Sequence, residues 1–210
     1  KQRTYFPVNG QAFTDTGNNI IRIDVSGEDF LDPKASFLRF RFTNNSGQAC
    51  GVDYGGGHTF IRRLRIEQSG NILSDVNSYS KLMSSIDAAA STTGATITTP
   101  TNSAGLILNG GVADFCIPIV NGLLGLGQDK LIPLSLLGSS PLTIEIELAP
   151  LLDIGVFGAA PGAGLGYQID NVRYIASMVS APPAVHQQIR LVQQASGGRL
   201  MLAGQDFTHF

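Results

Sequence analysis

Along most of the chain apolar and polar residues alternate with a period of two. Within residues 19–25, Ile21, Ile23 and Val25 fall on one side and Arg22 and Asp24 on the other. Residues 37–43 repeat the pattern, with Leu38, Phe40 and Phe42 opposed to Arg39 and Arg41. Residues 60–67 set Leu64 and Ile66 against Arg63, Arg65 and Glu67. The cleanest run, residues 142–148, opposes Leu142, Ile144, Ile146 and Leu148 to Thr143, Glu145 and Glu147. Each is the signature of a strand with one buried and one wet face. Weaker runs at residues 114–120 and 167–179, a return strand at Ile72 and Leu73 after the turn at 68–71, and a short run at 131–134 raise the candidates to eight. Short strands punctuated by Gly and Pro predict a two-sheet sandwich.

One segment changes period. Val76, Tyr79, Leu82, Met83 and Ile86 recur at three- and four-residue steps, which predicts an amphipathic helix with Ser74 or Asp75 as its N-cap. The expected fold is all-β: an eight-stranded antiparallel jelly-roll sandwich with this helix between strands five and six. Residues 88–103, rich in Ser, Thr and Ala, and residues 155–166 read as long loops. Beyond about residue 182 the alternation stops, and residues 186–194 could form a short helix. The chain therefore divides into a jelly-roll domain, residues 1–182, and a tail or the start of a further roll, residues 183–210. Jelly-roll wiring orders its sheets B-I-D-G and C-H-E-F. With residues 37–43 as strand C and 142–148 as strand H, Arg39 and Arg41 would lie beside Glu145 and Glu147. Such cross-strand pairs contribute about 0.2–1 kcal/mol each. Pro118 would fall on an edge strand, where a missing N–H is tolerated.

Composition narrows the function. The 210 residues carry 14 Lys and Arg against 16 Asp and Glu, a net charge of −2, and only 14% are charged. That is well below the quarter or so usual in soluble domains. A near-neutral chain lacks the clustered cations of a dedicated nucleic-acid binder, and 43% hydrophobic residues exclude disorder. No apolar run is long enough to span a membrane. Cys50 and Cys116 are too few for a disulfide framework and belong to no metal-spaced cluster. Asn44-Asn45-Ser46 matches the short glycosylation sequon, a pattern that arises by chance in many proteins. A start at Lys1 rather than Met points to processing or to a missing true beginning.

Catalytic constellations are missing from the sequence. His58, His186 and His209 are scattered, and His58 reads as a turn-edge residue after Gly55-Gly56-Gly57. The glycine-rich stretch 122–127 lacks the Lys-Ser/Thr and the βαβ setting of a phosphate loop. Asp24, Glu28, Asp29 and Asp32 cluster where turn and cap roles are common. Arg62, Arg63 and Arg65 form the one basic cluster. Arg63 and Arg65 face outward together and are candidate contacts for a partner's carboxylates. No metal or organic cofactor is called for.

Residues 20–25 followed by 29–40 (Asp-Phe-Leu-Asp-Pro-Lys-Ala-Ser-Phe-Leu-Arg-Phe), residues 58–66 with Ser69-Gly70-Asn71, residues 131–137 and 142–148, and residues 167–174 together resemble the first roll of a known family. It is the double-jelly-roll major capsid proteins of icosahedral double-stranded DNA viruses, of the virophage, polinton-like and nucleocytoplasmic large DNA virus type. The resemblance implies a non-enzymatic structural subunit in the virion. It would assemble with itself, as a trimer within the shell, and with other capsid proteins such as a penton or minor protein. Family members carry two tandem rolls, whereas 28 residues follow the first roll here. Either a second roll lies outside this chain or the protein is a single-roll shell subunit. In both cases the terminal aromatics Tyr5, Phe6, Phe207 and Phe210 are candidate subunit contacts. Each would bury about 1.5–3 kcal/mol of side chain on a neighbour. The rival reading is a carbohydrate-binding β-sandwich of the lectin or adhesin kind, which the absence of Trp and of an acidic calcium loop weakens. A cupin-like enzyme would need a His/Glu metal cluster that the sequence lacks.

Overall fold

The computed structural model describes residues 1–52, 55–91, 105–125, 130–137 and 140–197. In chain order its elements begin with β1 (Gln2–Tyr5), β2 (Ala12–Thr14), β3 (Ile20–Val25), β4 (Phe30–Asn45) and β5 (Cys50–Val52). Next come β6 (Ile61–Gln68), β7 (Asn71–Asn77), helix α1 (Tyr79–Ser91), β8 (Leu106–Ile107), β9 (Val112–Ile117) and β10 (Ile132–Pro133). The chain continues through β11 (Leu142–Leu148), β12 (Gly155–Phe157), β13 (Gly166–Val179) and helix α2 (Pro183–Ala195).

Two antiparallel sheets face each other. One has β13 and β4 at its centre, with β1 and β2 on the outer side of β13 and β9 and β10 on the outer side of β4. The other runs β3-β11-β6-β7. These are the B-I-D-G and C-H-E-F orders of a jelly roll, with both edge positions of the first sheet broken into two pieces. A small third sheet, β12-β5-β8, lies beside them.

The wiring places the first strand earlier than the alternation indicates. It is made by residues 2–5 and 12–14, too short and too polar to show a period. Every later strand therefore moves one place along the order: β3 takes the C position and β4 the D position. Arg39 and Arg41 on β4 and Glu145 and Glu147 on β11 consequently belong to different sheets, and the expected Arg39/Arg41–Glu145/Glu147 pairs do not form. Pro118, expected on an edge strand, lies one residue past it: β9 pairs only with β4 and ends at Ile117.

The alternating residues point inward as their pattern requires. Ile21, Ile23, Val25, Leu38, Phe40, Phe42, Leu64, Ile66, Leu142, Ile144, Ile146 and Leu148 are all buried. Phe60, from the turn that leads into β6, joins the two sheets. Its ring centroid lies 4.8 Å from Phe42, 5.1 Å from Phe115, 5.7 Å from Phe40 and 5.8 Å from Tyr167. Edge-on and tilted pairs at such separations add to plain area burial.

Other expectations shift at their boundaries. Val76 belongs to β7, because Asp75 is held by Arg63 in the sheet, so the helix starts at Tyr79 rather than after Ser74 or Asp75. Residues 88–91, expected in a loop, continue α1, and residues 92–104 lie outside the described residues. The 155–166 loop opens with β12, paired to β5. Asn44 of the sequon is fully buried, and its amide donates to the carbonyls of Gln48 and Ile107, so it offers no glycan acceptor. Both cysteines are free thiols.

Candidate functional site

The outer face of the β3-β11-β6-β7 sheet carries a continuous ladder of ion pairs, built by the polar half of the strand alternation. Register sets Glu145 opposite Arg22 on one side and Arg65 on the other. Arg22 reaches Glu145 at 2.7 Å and Arg65 reaches it at 3.4 Å. Arg65 also meets Glu67 at 3.2 Å and Asp75 at 3.6 Å. Arg63 grips Asp75 with two bonds of 2.8 and 2.5 Å, and Arg62 meets Glu147 at 3.2 Å. The Arg63 guanidinium holds the Asp75 carboxyl below the usual carboxylate range. Arg63 and Arg65 are thus engaged in ion pairs inside their own sheet. Glu145 and Glu147 find arginines, but from β3 and from residues 62–65.

The outer face of the other sheet is composed differently. Arg41 forks onto Asp114 with bonds of 3.0 and 3.1 Å, and that contact depresses the Asp114 pKa. Arg39 lies 4.0 Å from the same carboxylate. Arg173 stands directly opposite Arg39 in the β13–β4 register.

Elsewhere the surface exposes apolar side chains and carries a groove. Leu106 and Val156 lie on one rung of the small sheet with Gly51 between them, and are 68% and 73% exposed. Phe6 is 62% exposed and is the one exposed aromatic among the described residues. Tyr5 is half-buried, and its hydroxyl donates to the Ser26 carbonyl. Phe207, Phe210 and His209 lie outside the described residues. Helix α2 has no buried residue and rests against the sandwich through His186, whose ring centroid is 5.1 Å from that of Phe30. Between α2 and the β3–β4 corner lies an open groove of about 960 Å³, bordered by Asp24, Glu28, Asp29, Ser135, His186 and Arg190.

His58, read as a turn-edge residue, does lie in a turn at the start of β6. It is buried in a short 3-10 turn, Gly56–Phe60, where its Nδ1 lies 3.4 Å from the Tyr79 hydroxyl. That hydroxyl accepts the Val120 N–H at 3.0 Å, so α1, the turn and the segment that follows β9 are tied together. Asp15, unremarked in the alternation, accepts the Leu151 N–H at 3.3 Å and the Tyr167 N–H at 3.5 Å. Among the described residues no three His, Cys, Asp or Glu side chains converge as metal ligands, and no helix is long and apolar enough to cross a membrane.

No protein-family model and no curated protein matches the chain. Solved structures do. The PBCV-1 virus capsid superposes over 90% of this chain with a TM-score of 0.56 at 12% identity. PBCV-1 VP54, fitted into a reconstruction of the virophage Sputnik, covers 92% with a TM-score of 0.52 at 11% identity. The chain spans 44% and 45% of the length of those two chains. The chain shares the fold of these capsid structures, and its two main sheets carry the jelly-roll strand order.

Proposed function

We propose that the protein is a structural subunit of an icosahedral viral capsid, located in the virion, that tiles the shell through its loops, termini and sheet faces. The observation that carries this reading is the match of nine-tenths of the chain to the PBCV-1 virus capsid fold. The distribution of surface chemistry supports it. Polar side chains on one broad face are neutralised within the sheet, while apolar residues such as Phe6, and Leu106 beside Val156, remain uncovered. Exposed apolar side chains gathered at one place commonly mark association surfaces. The partners are other copies of the chain, in a trimeric unit, and penton or minor capsid proteins. Residues 183–210 form a tail, or the start of a second roll, outside the jelly-roll domain, residues 1–182, and Tyr5, Phe6, Phe207 and Phe210 serve as contacts. Electron microscopy of the purified chain tests the reading: shells, sheets or trimers are expected, and dispersed monomers at high concentration overturn it.

A further inference from the structure

We infer that Arg39 and Arg173, on the outer face of the sheet built on β4 and β13, hold a carboxylate from a second copy of this chain, supplied by Glu28 and Asp29 at its β3–β4 corner. The inference rests on the shell-subunit reading and names its contact chemistry.

The arginine pair is unusual in its geometry. Arg173 and Arg39 are direct cross-strand partners, and like charges so placed repel. A register shift between Asp170 and Arg173 produces the pairing, with Asn171 at a φ of 51°. Bulges of this kind re-aim side chains. Without the shift, strict alternation along β13 would turn Arg173 toward the core. The carboxylate nearest to Arg39 is already chelated by Arg41, and Arg39 reaches it only at 4.0 Å. Arg173 donates to the Asn171 side-chain oxygen at 3.0 Å, while its Nε is buried without an acceptor. Asp170 faces Arg41 in the register and accepts from Gln168 at 3.2 Å. Around this pair three guanidinium groups therefore share two carboxylates, one anion fewer than cations. The opposite sheet has no such deficit, since Arg22, Arg62, Arg63 and Arg65 meet Glu67, Asp75, Glu145 and Glu147.

The missing charge is present elsewhere on the chain. Asp24, Glu28 and Asp29 border the groove beside α2. Asp24 accepts the Thr143 hydroxyl at 2.8 Å, whereas the Glu28 and Asp29 carboxylates have no ion-pair partner among the described residues. Arg190 lines the groove, and Arg3 has its Nη1 2.9 Å from where a Cβ at Gly27 would stand, yet neither forms an ion pair with Glu28 or Asp29 among the described residues. An excess cation on one surface and an excess anion on another define a head-to-tail contact, which closes into a ring when repeated by rotation. An arginine–carboxylate fork would supply its orientation. A nucleic-acid backbone is the poorer fit, because Asp114 and Asp170 interrupt the face and no run of cations follows it.

The test is a charge swap read by sedimentation of the full chain. R39E/R173E and E28R/D29R are each expected to weaken self-association by about 100-fold, since apposed like charges across an interface cost several kcal/mol. The four changes combined in one chain are expected to restore it to within about tenfold. Normal association of R39E/R173E, or no recovery in the combined variant, overturns the inference. So does loss of duplex-DNA retention by R39E/R173E with self-association intact. Melting curves establish that each variant folds. The neutral R39Q/R173Q, with the same outward side chains shortened, should still weaken association and blunt its salt dependence. Assembly that ignores all four residues sinks this inference alone, whereas an unaltered chain that stays monomeric sinks the capsid reading as well.

Discussion

Buried single residues in this sandwich have consequences that follow from their surroundings. His58 is 2% exposed, and burial lowers its pKa from the ordinary 6.5 to about 4. The folded chain therefore keeps it neutral, while the unfolded chain takes up a proton below about pH 6.5. Stability is expected to be full above that pH and to fall as pH drops toward 4, by on the order of 3 kcal/mol. Urea unfolding across that range should show the slope, and His58→Gln should flatten it. An unchanged slope in the variant would assign the proton uptake to another group. Asp75 and Asp114, whose pKa values are depressed by arginine, add a separate loss at still lower pH. Gly166 is fixed by a close approach: a Cβ there would stand 2.4 Å from the Asp15 carboxylate. Gly166→Ala should push that carboxylate off the Leu151 and Tyr167 N–H groups and destabilise by about 1–3 kcal/mol, read from the urea midpoint. Phe60→Ala, which empties the centre of the aromatic cluster, should cost about 3–5 kcal/mol in the same assay.

At the scale of elements, the strands with a strong period were legible and those without one were not. Leu142–Leu148 could be oriented from its own seven residues, since each inward position is apolar and each outward one polar. Gln2–Tyr5 and Ala12–Thr14 could not, because they are edge pieces with little apolar surface of their own. Missing them displaced the pairing of every charged strand by one place. The ladder around Glu145 carries its own prediction. Its side chain is 12% exposed and serves both Arg22 and Arg65. Glu145→Ala removes the carboxylate that Arg22 and the half-buried Arg65 share and is expected to cost about 1–3 kcal/mol. Arg22→Ala, at the exposed end of the same ladder, should cost under about 1 kcal/mol. Equal losses in urea titrations would contradict the asymmetry. Helix α2 stands at the other extreme, since none of its residues is buried.

The whole molecule determines where association can act. Removing residues 184–210 takes away α2, none of whose residues is buried, so the melting temperature should shift by only a few degrees. Assembly should weaken far more, and an unchanged oligomer after truncation would show that the tail has no part in it. Alternation alone established an antiparallel sandwich, its buried residues and the helix between its strands, because inward or outward facing is a local property of a period-two chain. The same positions supplied most of the resemblance to capsid proteins. Which strands lie side by side is not local. It depends on how edge pieces and crossovers close the sheets, and only the tertiary structure decided that Arg39 faces Arg173 and Asp114 while Glu145 faces Arg22 and Arg65. For the same reason the low overall charge was visible in the composition, but its division into a balanced face, a cation-rich face and an acidic corner was not.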